Sequence, residues 1–130
     1  MYVSIHRPAT IRHRTSLFED AVQIVEAEYA SELALDEVAR RVASSRRQLQ
    51  RSYAEIGGTT FRDHLTRVRM QRAAEMLAAR NMTVREVARR VGYRQPAQFA
   101  KAFRRQFGRA PSDFRSDPPL RSENPAREAA

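Results

Sequence analysis

The chain has 130 residues, no cysteine, and 24 basic against 15 acidic side chains, which gives it a formal charge of +9. This length suits one domain with a core, and the absence of cysteine excludes a disulfide framework, thiolate metal sites and thiol nucleophiles. The positive charge predicts a polyanionic partner, whereas no apolar run approaches the roughly 20 residues of a membrane span and no signal peptide opens the chain, so we expect a cytoplasmic protein without membrane contact.

The first 14 residues are mixed and basic and show no helical period. A flexible N-terminal arm is therefore predicted over residues 1–15, with an arm that enters a DNA minor groove as the alternative. From Ser16 onward the apolar residues recur at helical spacing, which predicts a first helix to about Ala30. The stripe of this helix consists of Phe18, Ala21 or Val22, Val25 and Tyr29.

One hexapeptide occurs twice, letter for letter, at Glu37–Val42 and at Glu86–Val91. An internal repeat in so short a chain indicates that one supersecondary unit was copied, so the function should be something done twice. Each copy is followed by a short break and a second amphipathic stretch. Both copies are therefore predicted to be helix, turn, helix.

In the first copy Ala34 stands where a capping residue belongs, so a weak helix start is predicted. Ser45 can cap the next helix, which should run from Arg46 to about Ile56. On a helical wheel Leu49 and Tyr53 point to one side, and the arginines of this stretch point away from them.

A long helix is predicted between the copies, from Phe61 to about Arg80, with Thr60 as its cap and with Gly57 and Gly58 ending the helix before it. Its roughly 19 residues correspond to about 28 Å, close to the roughly 34 Å between successive major-groove segments on one face of DNA. This helix is interpreted as a spacer.

The second copy begins with a capping box at Thr83 and Glu86, and Gly92 permits its tight turn. Pro96 suits the first turn of the next helix, in which Phe99 and Phe103 should face inward. Gly108 ends that helix. A last short helix is predicted over residues 110–115, and residues 116–130 are predicted to form a disordered tail because of their prolines and polarity.

The second copy carries a pattern of many fixed positions: Val87-Ala88, Val91-Gly92-Tyr93, Phe99, Lys101, Phe103, Phe107-Gly108, Pro111 and Phe114-Arg115. This pattern resembles the second helix-turn-helix of the AraC/XylS transcription regulators. The first copy and the spacer pattern Leu65, Arg69, Ala73 and Leu77 extend the resemblance over residues 17 to 115.

The resemblance implies an all-α, seven-helix domain over residues 16–115, with two helix-turn-helix units joined by the long spacer helix and entering adjacent major-groove segments. It also implies RNA polymerase as a partner. Most members of the family carry a separate effector-binding domain as well, and no small-molecule effector is evident here. The chain is similar to the stand-alone regulators of the family, or it is a domain cut from a longer protein.

Three residues depart from the family pattern. His64 replaces an aromatic residue in the spacer, and Ala43 stands where the second copy has Gly92; both changes are expected to affect packing only. Gln95 stands where serine commonly caps the second recognition helix, so the hold on that helix is expected to be weaker.

The residue types on the outward faces predict two kinds of DNA contact. Base edges would be read by polar and small side chains of the second helix in each copy: Arg47, Gln50, Arg51, Ala97, Gln98 and Lys101. The DNA backbone would be contacted by the flanking positions, for which a merely solvated face is the alternative: Arg40, Arg41, Ser45, Arg46, Arg89, Arg90, Arg94, Arg104 and Arg105.

No catalytic residue, cofactor site or metal site is predicted, because His6, His13 and His64 share no ligand spacing and no serine has a base or an oxyanion pattern beside it. His64 is interpreted as a packing residue. The sequence thus favours a monomeric, sequence-specific transcription regulator at the nucleoid. The alternatives are an architectural protein that binds nucleic acid without sequence preference, and a module that binds a protein through its helical faces.

Overall fold

The computed structural model describes the backbone of residues 2–79 and 81–116, with side chains described from residue 12 to residue 115 except for residue 80. These residues form seven α-helices, with a π-helical turn at Tyr53–Gly57 and no strand, which confirms the predicted all-α class. The helices are α1 Tyr2–Glu28, α2 Leu35–Arg41, α3 Arg46–Ser52, α4 Phe61–Ala79, α5 Val84–Arg90, α6 Pro96–Phe107 and α7 Pro111–Ser116.

The contacts of the chain divide it into two compact units, which we call unit 1 (residues 1–68) and unit 2 (residues 69–130). The boundary falls within α4, and each unit contains one copy of the repeated hexapeptide. Within the part of the chain described, no helix is both long and apolar enough to cross a membrane. The predicted disordered tail lies outside the described residues, except for the last residue of α7.

The first helix begins at Tyr2, so the prediction of a non-helical arm over residues 1–14 was wrong. The sequence misled because this stretch has no apolar period and contains Pro8, which lacks the amide hydrogen that a helix interior requires. Arg14 forms an ion pair with Glu55, and Leu17 is buried. Helix α1 therefore already contacts other parts of unit 1 at Arg14, before its predicted start at Ser16.

The core of unit 1 is built around Tyr53, whose side chain is fully buried. Its ring meets the rings of Phe18 and Phe61 edge to face, with centroids 5.1 and 5.8 Å away. Around it lie buried residues from four helices: Ala21, Val25, Val38, Ala39, Leu49, Leu65 and Val68. Burial of these apolar faces is what holds short helices such as α2 and α3 in place, because helices of seven residues are not stable alone.

Two glycines end the helical stretch that begins with α3, as predicted, although the π-helical form of its last turn was not predicted. Each glycine has its own reason. A Cβ at Gly57 would overlap the ring of Phe18, so only glycine lets α1 approach this closely. Gly58 has φ of 64°, a left-handed conformation that glycine adopts without strain. Thr60 then caps α4, because its Oγ1 accepts a hydrogen bond from the amide of Asp63 at 3.0 Å. The predicted start of the spacer helix is confirmed.

The core of unit 2 is aromatic at one end. The ring of Phe103 packs against Phe107 and Phe114, with centroid distances of 4.6 and 5.3 Å. The other fully or nearly fully buried residues are Met70, Ala73, Leu77, Val87, Ala88, Val91 and Phe99. Gly108, at φ of 76°, ends α6 as predicted.

Candidate nucleic-acid interface

The two copies of the hexapeptide end in the same turn. Val42 has φ and ψ of −97° and 15°, and Val91 has −96° and 7°. The turn after α2 is closed by the amide of Ser44, which donates to the carbonyl of Ala39 at 2.8 Å; in the second copy Tyr93 donates to Ala88 at 2.9 Å. The predicted pair of helix-turn-helix units is therefore present with matching turn geometry.

The residue after each of these valines has a positive φ, which is 58° at Ala43 and 102° at Gly92. We expected the alanine to affect packing only, and that expectation was wrong. Ala43 is exposed, and its effect is backbone strain rather than packing, because an L-residue in the left-handed region is strained.

Helix α3 starts at a complete capping box. The Oγ of Ser45 accepts a hydrogen bond from the amide of Gln48 at 3.1 Å, and the Gln48 side chain accepts one from the Ser45 amide at 3.4 Å. The predicted cap is confirmed, and the Ser45 hydroxyl is already in use by the helix itself. Because Leu49 and Tyr53 are fully buried, the opposite face of α3 is exposed. Arg47 and Arg51 lie on that face and Gln50 is exposed beside it; these are the predicted base readers of the first copy.

Helix α6 starts without a side-chain cap. Gln95 makes no cap hydrogen bond, and Pro96 occupies the first helical turn, both as predicted. Phe99 and Phe103 are fully buried, which leaves the opposite face exposed. That face carries Ala97, Gln98 and Lys101, the predicted base readers of the second copy.

In unit 1 each predicted backbone-contacting arginine lies beside an acidic side chain. Arg40 pairs with Glu37 at 2.5 Å, and Arg46 pairs with Asp36 at 3.4 Å. Arg41 donates two hydrogen bonds to the carboxylate of Glu28, at 2.7 and 2.6 Å. The hydrogen bonds of this pair lower the pKa of Glu28 and raise the pKa of Arg41. Spacing along the sequence could not reveal the Arg41 pair, because its partner is 13 residues away on α1.

In unit 2 the corresponding arginines are exposed, and no ion pair within 4.0 Å joins Arg89 or Arg90 to a residue that the structure describes. Arg94, Arg104 and Arg105 are exposed as well. The predicted capping box is confirmed here, because Glu86 accepts from the Thr83 amide at 2.8 Å and Thr83 Oγ1 accepts from the Glu86 amide at 3.0 Å. These bonds with Thr83 lower the pKa of Glu86.

Helix α1 contributes residues beside α3 that the sequence did not indicate. His13, Arg14 and Leu17 line a cavity of about 80 Å³ together with Gln48 and Arg51 of α3. The absence of a helical period before Ser16 hid this contact. The ion pair between Arg14 and Glu55 joins α1 to the π-helical turn that follows α3.

His64 is buried and forms a hydrogen bond between its Nδ1 and the Tyr53 hydroxyl, at 2.8 Å. The interpretation of His64 as a packing residue holds, with a polar contact that the sequence did not predict. Burial lowers the pKa of His64, and the positive charge of Arg67 lowers it further, while Glu26 acts in the opposite direction. Burial likewise raises the pKa of Tyr53. Across the described ranges, no three His, Asp or Glu side chains are grouped so that they could hold a metal ion.

Comparison with known proteins gives consistent matches. Residues 38–117 match a family described as a helix-turn-helix domain. The regulatory protein SoxS of Escherichia coli is 29% identical over 99 residues, which cover 76% of this chain and 92% of SoxS. The chain spans only 34 to 35% of the length of two other relatives, the Msm operon regulatory protein of Streptococcus mutans and the lactose operon transcription activator of Staphylococcus xylosus.

Solved structures agree with the sequence matches. The C-terminal domain of AraT, a response regulator from Geobacillus stearothermophilus, superposes with a TM-score of 0.75 at 31% identity, covering 77% of this chain and 84% of that domain. The DNA-binding domain of the global transcriptional factor AdpA, solved in complex with a target DNA, superposes with a TM-score of 0.72 at 28% identity, covering 83% and 96%. The chain belongs to the AraC/XylS family of helix-turn-helix DNA-binding domains.

Proposed function

We propose that this chain is a sequence-specific regulator of transcription that binds double-stranded DNA as a monomer. Helix α3 would enter one major-groove segment and α6 the adjacent one. Two recognition helices in one chain make dimerisation unnecessary, whereas a protein with one helix-turn-helix unit usually needs a second copy to reach two half-sites.

The observation that carries this proposal is the duplicated construction of the two recognition helices. Each is buried along one stripe, by Leu49 and Tyr53 in α3 and by Phe99 and Phe103 in α6, and each exposes polar side chains on the opposite face. The same turn precedes both helices. An α-helix exposed in this way fits the B-DNA major groove, which is about 12 Å wide.

The exposed side chains suit base reading to different degrees. The guanidinium groups of Arg47 and Arg51 can each donate two hydrogen bonds to guanine, and Gln50 can pair with adenine. In α6 the Ala97 methyl can touch a thymine methyl, and Lys101 acts mainly as a point charge. Gln98 can pair with adenine in the same way as Gln50.

Backbone contacts would supply affinity without sequence choice. The groups proposed for this role are Arg40, Arg41, Ser45, Arg46, Arg89, Arg90, Arg94, Arg104 and Arg105. Relatives support DNA as the ligand, since the AdpA domain is described in complex with a target DNA. Contact with RNA polymerase, location at the nucleoid of the cytoplasm, action without a small-molecule effector and the lack of catalytic activity are further parts of the proposal.

Selection from a pool of random DNA duplexes tests the function. The regulator should enrich one bipartite motif whose halves are about one helical turn apart. Binding that depends on salt but enriches no motif would favour the architectural alternative. No binding to duplex DNA would favour the protein-binding alternative and would overturn the proposal.

A variant pair sharpens the selection. Gln50→Ala on the exposed face of α3 should change base preference, whereas Gln71→Ala on the exposed face of α4 should leave the motif intact. Both replace an exposed glutamine in a helix, so their effects on folding are matched. Loss of base preference in both variants, or in neither, would contradict the assignment of α3 as a reader.

A further inference from the structure

The positive charge of the chain is concentrated in unit 2. Residues 69–130 contain 14 of the basic side chains against 6 acidic ones, a net charge of +8. Residues 1–68 contain 10 basic against 9 acidic side chains, a net charge of +1. Unit 1 and unit 2 therefore differ in how strongly they attract a polyanion.

A capping position also changes how the two identical hexapeptides present their arginines. Thr83 caps α5 and its partner in the capping box is Glu86, so that this carboxylate is held at the start of the helix. Ala34 cannot cap α2, and the equivalent carboxylate of Glu37 instead pairs with Arg40 at 2.5 Å. The first arginine of the hexapeptide is therefore paired in unit 1, where it is Arg40. In unit 2 the same position is Arg89, which has no ion pair to a described residue.

A second difference stands one residue before the hexapeptide. Unit 1 has Asp36 there, which pairs with Arg46, and unit 2 has Arg85. Arg85 lines a cavity of about 250 Å³ together with Arg89 and Arg94. The other described residues of the lining are Ala88, Tyr93 and Pro96, and none of them is acidic.

We infer that the cavity lined by Arg85, Arg89 and Arg94 binds a phosphate group of the DNA backbone, and that unit 2 supplies most of the sequence-independent affinity. This inference rests on the proposed function. Guanidinium groups bind phosphate with two parallel hydrogen bonds, and the charges of Arg85 and Arg89 together exceed the single negative charge of one backbone phosphate. Unit 1, in which Arg40, Arg41 and Arg46 are paired to acidic neighbours, then acts mainly as the reader of sequence.

The repeat suggests the test, because the position before the hexapeptide is Asp36 in unit 1 and Arg85 in unit 2. Arg85→Asp places the unit 1 residue in unit 2, where an aspartate in the first turn of α5 favours the helix. The dissociation constant of this full-length variant is measured on a mixed-sequence duplex at several salt concentrations and compared with that of the unaltered chain. We expect binding weaker by about five- to tenfold at about 0.1 M salt, with a slope of log K against log salt flatter by about one unit.

Arg89 and Arg40 form the matched pair, because they occupy the same place in the two hexapeptides. Arg89→Ala should flatten the salt slope by about one unit, whereas Arg40→Ala should change it by much less. The motif selected from random duplexes should stay the same in both variants. Circular dichroism and thermal melting establish that each variant is folded.

The outcomes separate the inference from the function on which it rests. If the unaltered chain binds a motif but Arg85→Asp and Arg89→Ala keep its salt slope, the phosphate cavity is wrong and the proposed function stands. Equal flattening by Arg40→Ala and Arg89→Ala would also overturn the inference, because the two units would then contribute alike. If the unaltered chain binds no duplex DNA, both fall together.

Discussion

Ala43 and Gly92 occupy the same position in the two turns, and their amides make the same backbone hydrogen bond. In each case the amide donates to the carbonyl three residues earlier, at 3.1 Å to Arg40 and at 3.1 Å to Arg89. Both residues have a positive φ. The turn geometry is therefore imposed by the repeat, and alanine adopts a left-handed conformation that costs an L-residue about 1 to 2 kcal/mol.

Replacing Ala43 by glycine should stabilise the protein. The gain is expected to be at most about 1 kcal/mol, because relief of the left-handed strain is partly offset by the greater freedom of glycine in the unfolded chain. The free energy of unfolding in urea is the measurement. The reverse change, Gly92→Ala, should destabilise by about 1 to 3 kcal/mol, since φ of 102° lies further from any conformation favoured by alanine.

The control for this pair is Ala74→Gly within α4, where glycine should cost about 0.5 to 1 kcal/mol. Opposite signs at positions 43 and 74 would tie the gain to the positive φ. A loss of stability in Ala43→Gly would contradict the strain assigned to this turn.

The turns also illustrate what the sequence could predict. Both breaks, both recognition helices and the caps at Ser45, Thr60 and Thr83 followed from local residue chemistry, because a cap depends on residues three apart. The positive φ of Ala43 could not be read from alanine itself. Alignment of the two copies placed it opposite Gly92, and that alignment was the available signal.

What remained unpredicted depends on contacts between residues far apart in sequence. The pair of Arg41 with Glu28 and the pair of Arg14 with Glu55 join different elements, and no periodicity encodes them. The early start of α1 was missed for another reason. Helix propensity is a weak guide where proline interrupts the pattern, and Pro8 stands in that helix.

Stability should fall as the pH drops below the ordinary pKa of histidine, near 6.5. Burial lowers the pKa of His64 in the folded protein, so between its folded and unfolded pKa values the unfolded chain binds more protons. The derivative of the unfolding free energy with pH is then positive, and stability is lost on acidification. One proton limits this slope to about 1.4 kcal/mol per pH unit. Urea unfolding between about pH 7.5 and 5 measures it.

His64→Phe removes the titrating group and should flatten the pH dependence in this window. Glu86, whose pKa is also lowered, acts in the other pH range, since its contribution is lost only below the usual range of a carboxyl group. His13→Gln serves as the control, because His13 is exposed on α1. If His64→Phe keeps the full slope above about pH 5, the loss does not originate at His64.

Truncating the apolar side of α4 should unfold the protein. Leu65 is 8% exposed and Leu77 is fully buried, so replacement of either by alanine leaves a cavity and costs about 2 to 5 kcal/mol. DNA binding should fail through lost folding in both cases. Thermal melting measures the effect, with exposed Gln71→Ala on the same helix as the control. A melting curve like that of the unaltered chain in either leucine variant would refute its place in the core.

The exposure of side chains at the candidate site could be predicted from the sequence, whereas their ion pairs could not. The helical wheel placed Arg47 and Arg51 opposite the buried stripe of α3, with Gln50 beside them, and these side chains are exposed as expected. The wheel could not tell that Arg40 and Arg89 differ in their partners. Glu37 pairs with Arg40 where Ala34 provides no cap, whereas Glu86 is hydrogen-bonded to Thr83.

Unequal reading by the two recognition helices should appear in the selected motif. The α3 half should be strongly constrained, with guanines opposite Arg47 and Arg51, because a bidentate arginine discriminates among bases by roughly 1 to 3 kcal/mol. The α6 half should tolerate substitution, since Lys101 and Ala97 discriminate little and Gln95 provides no cap to fix the helix.

The variants Arg51→Ala and Lys101→Ala test this difference at corresponding positions of the two copies. Arg51→Ala should relax base preference in the α3 half, whereas Lys101→Ala should weaken binding to all sequences about equally, because Lys101 acts mainly as a point charge. Selection from random duplexes is repeated with each variant, and affinities are compared on the preferred and a scrambled duplex. Equal information in both halves of the motif, or a stricter α6 half, would show that the second helix reads bases as closely as the first.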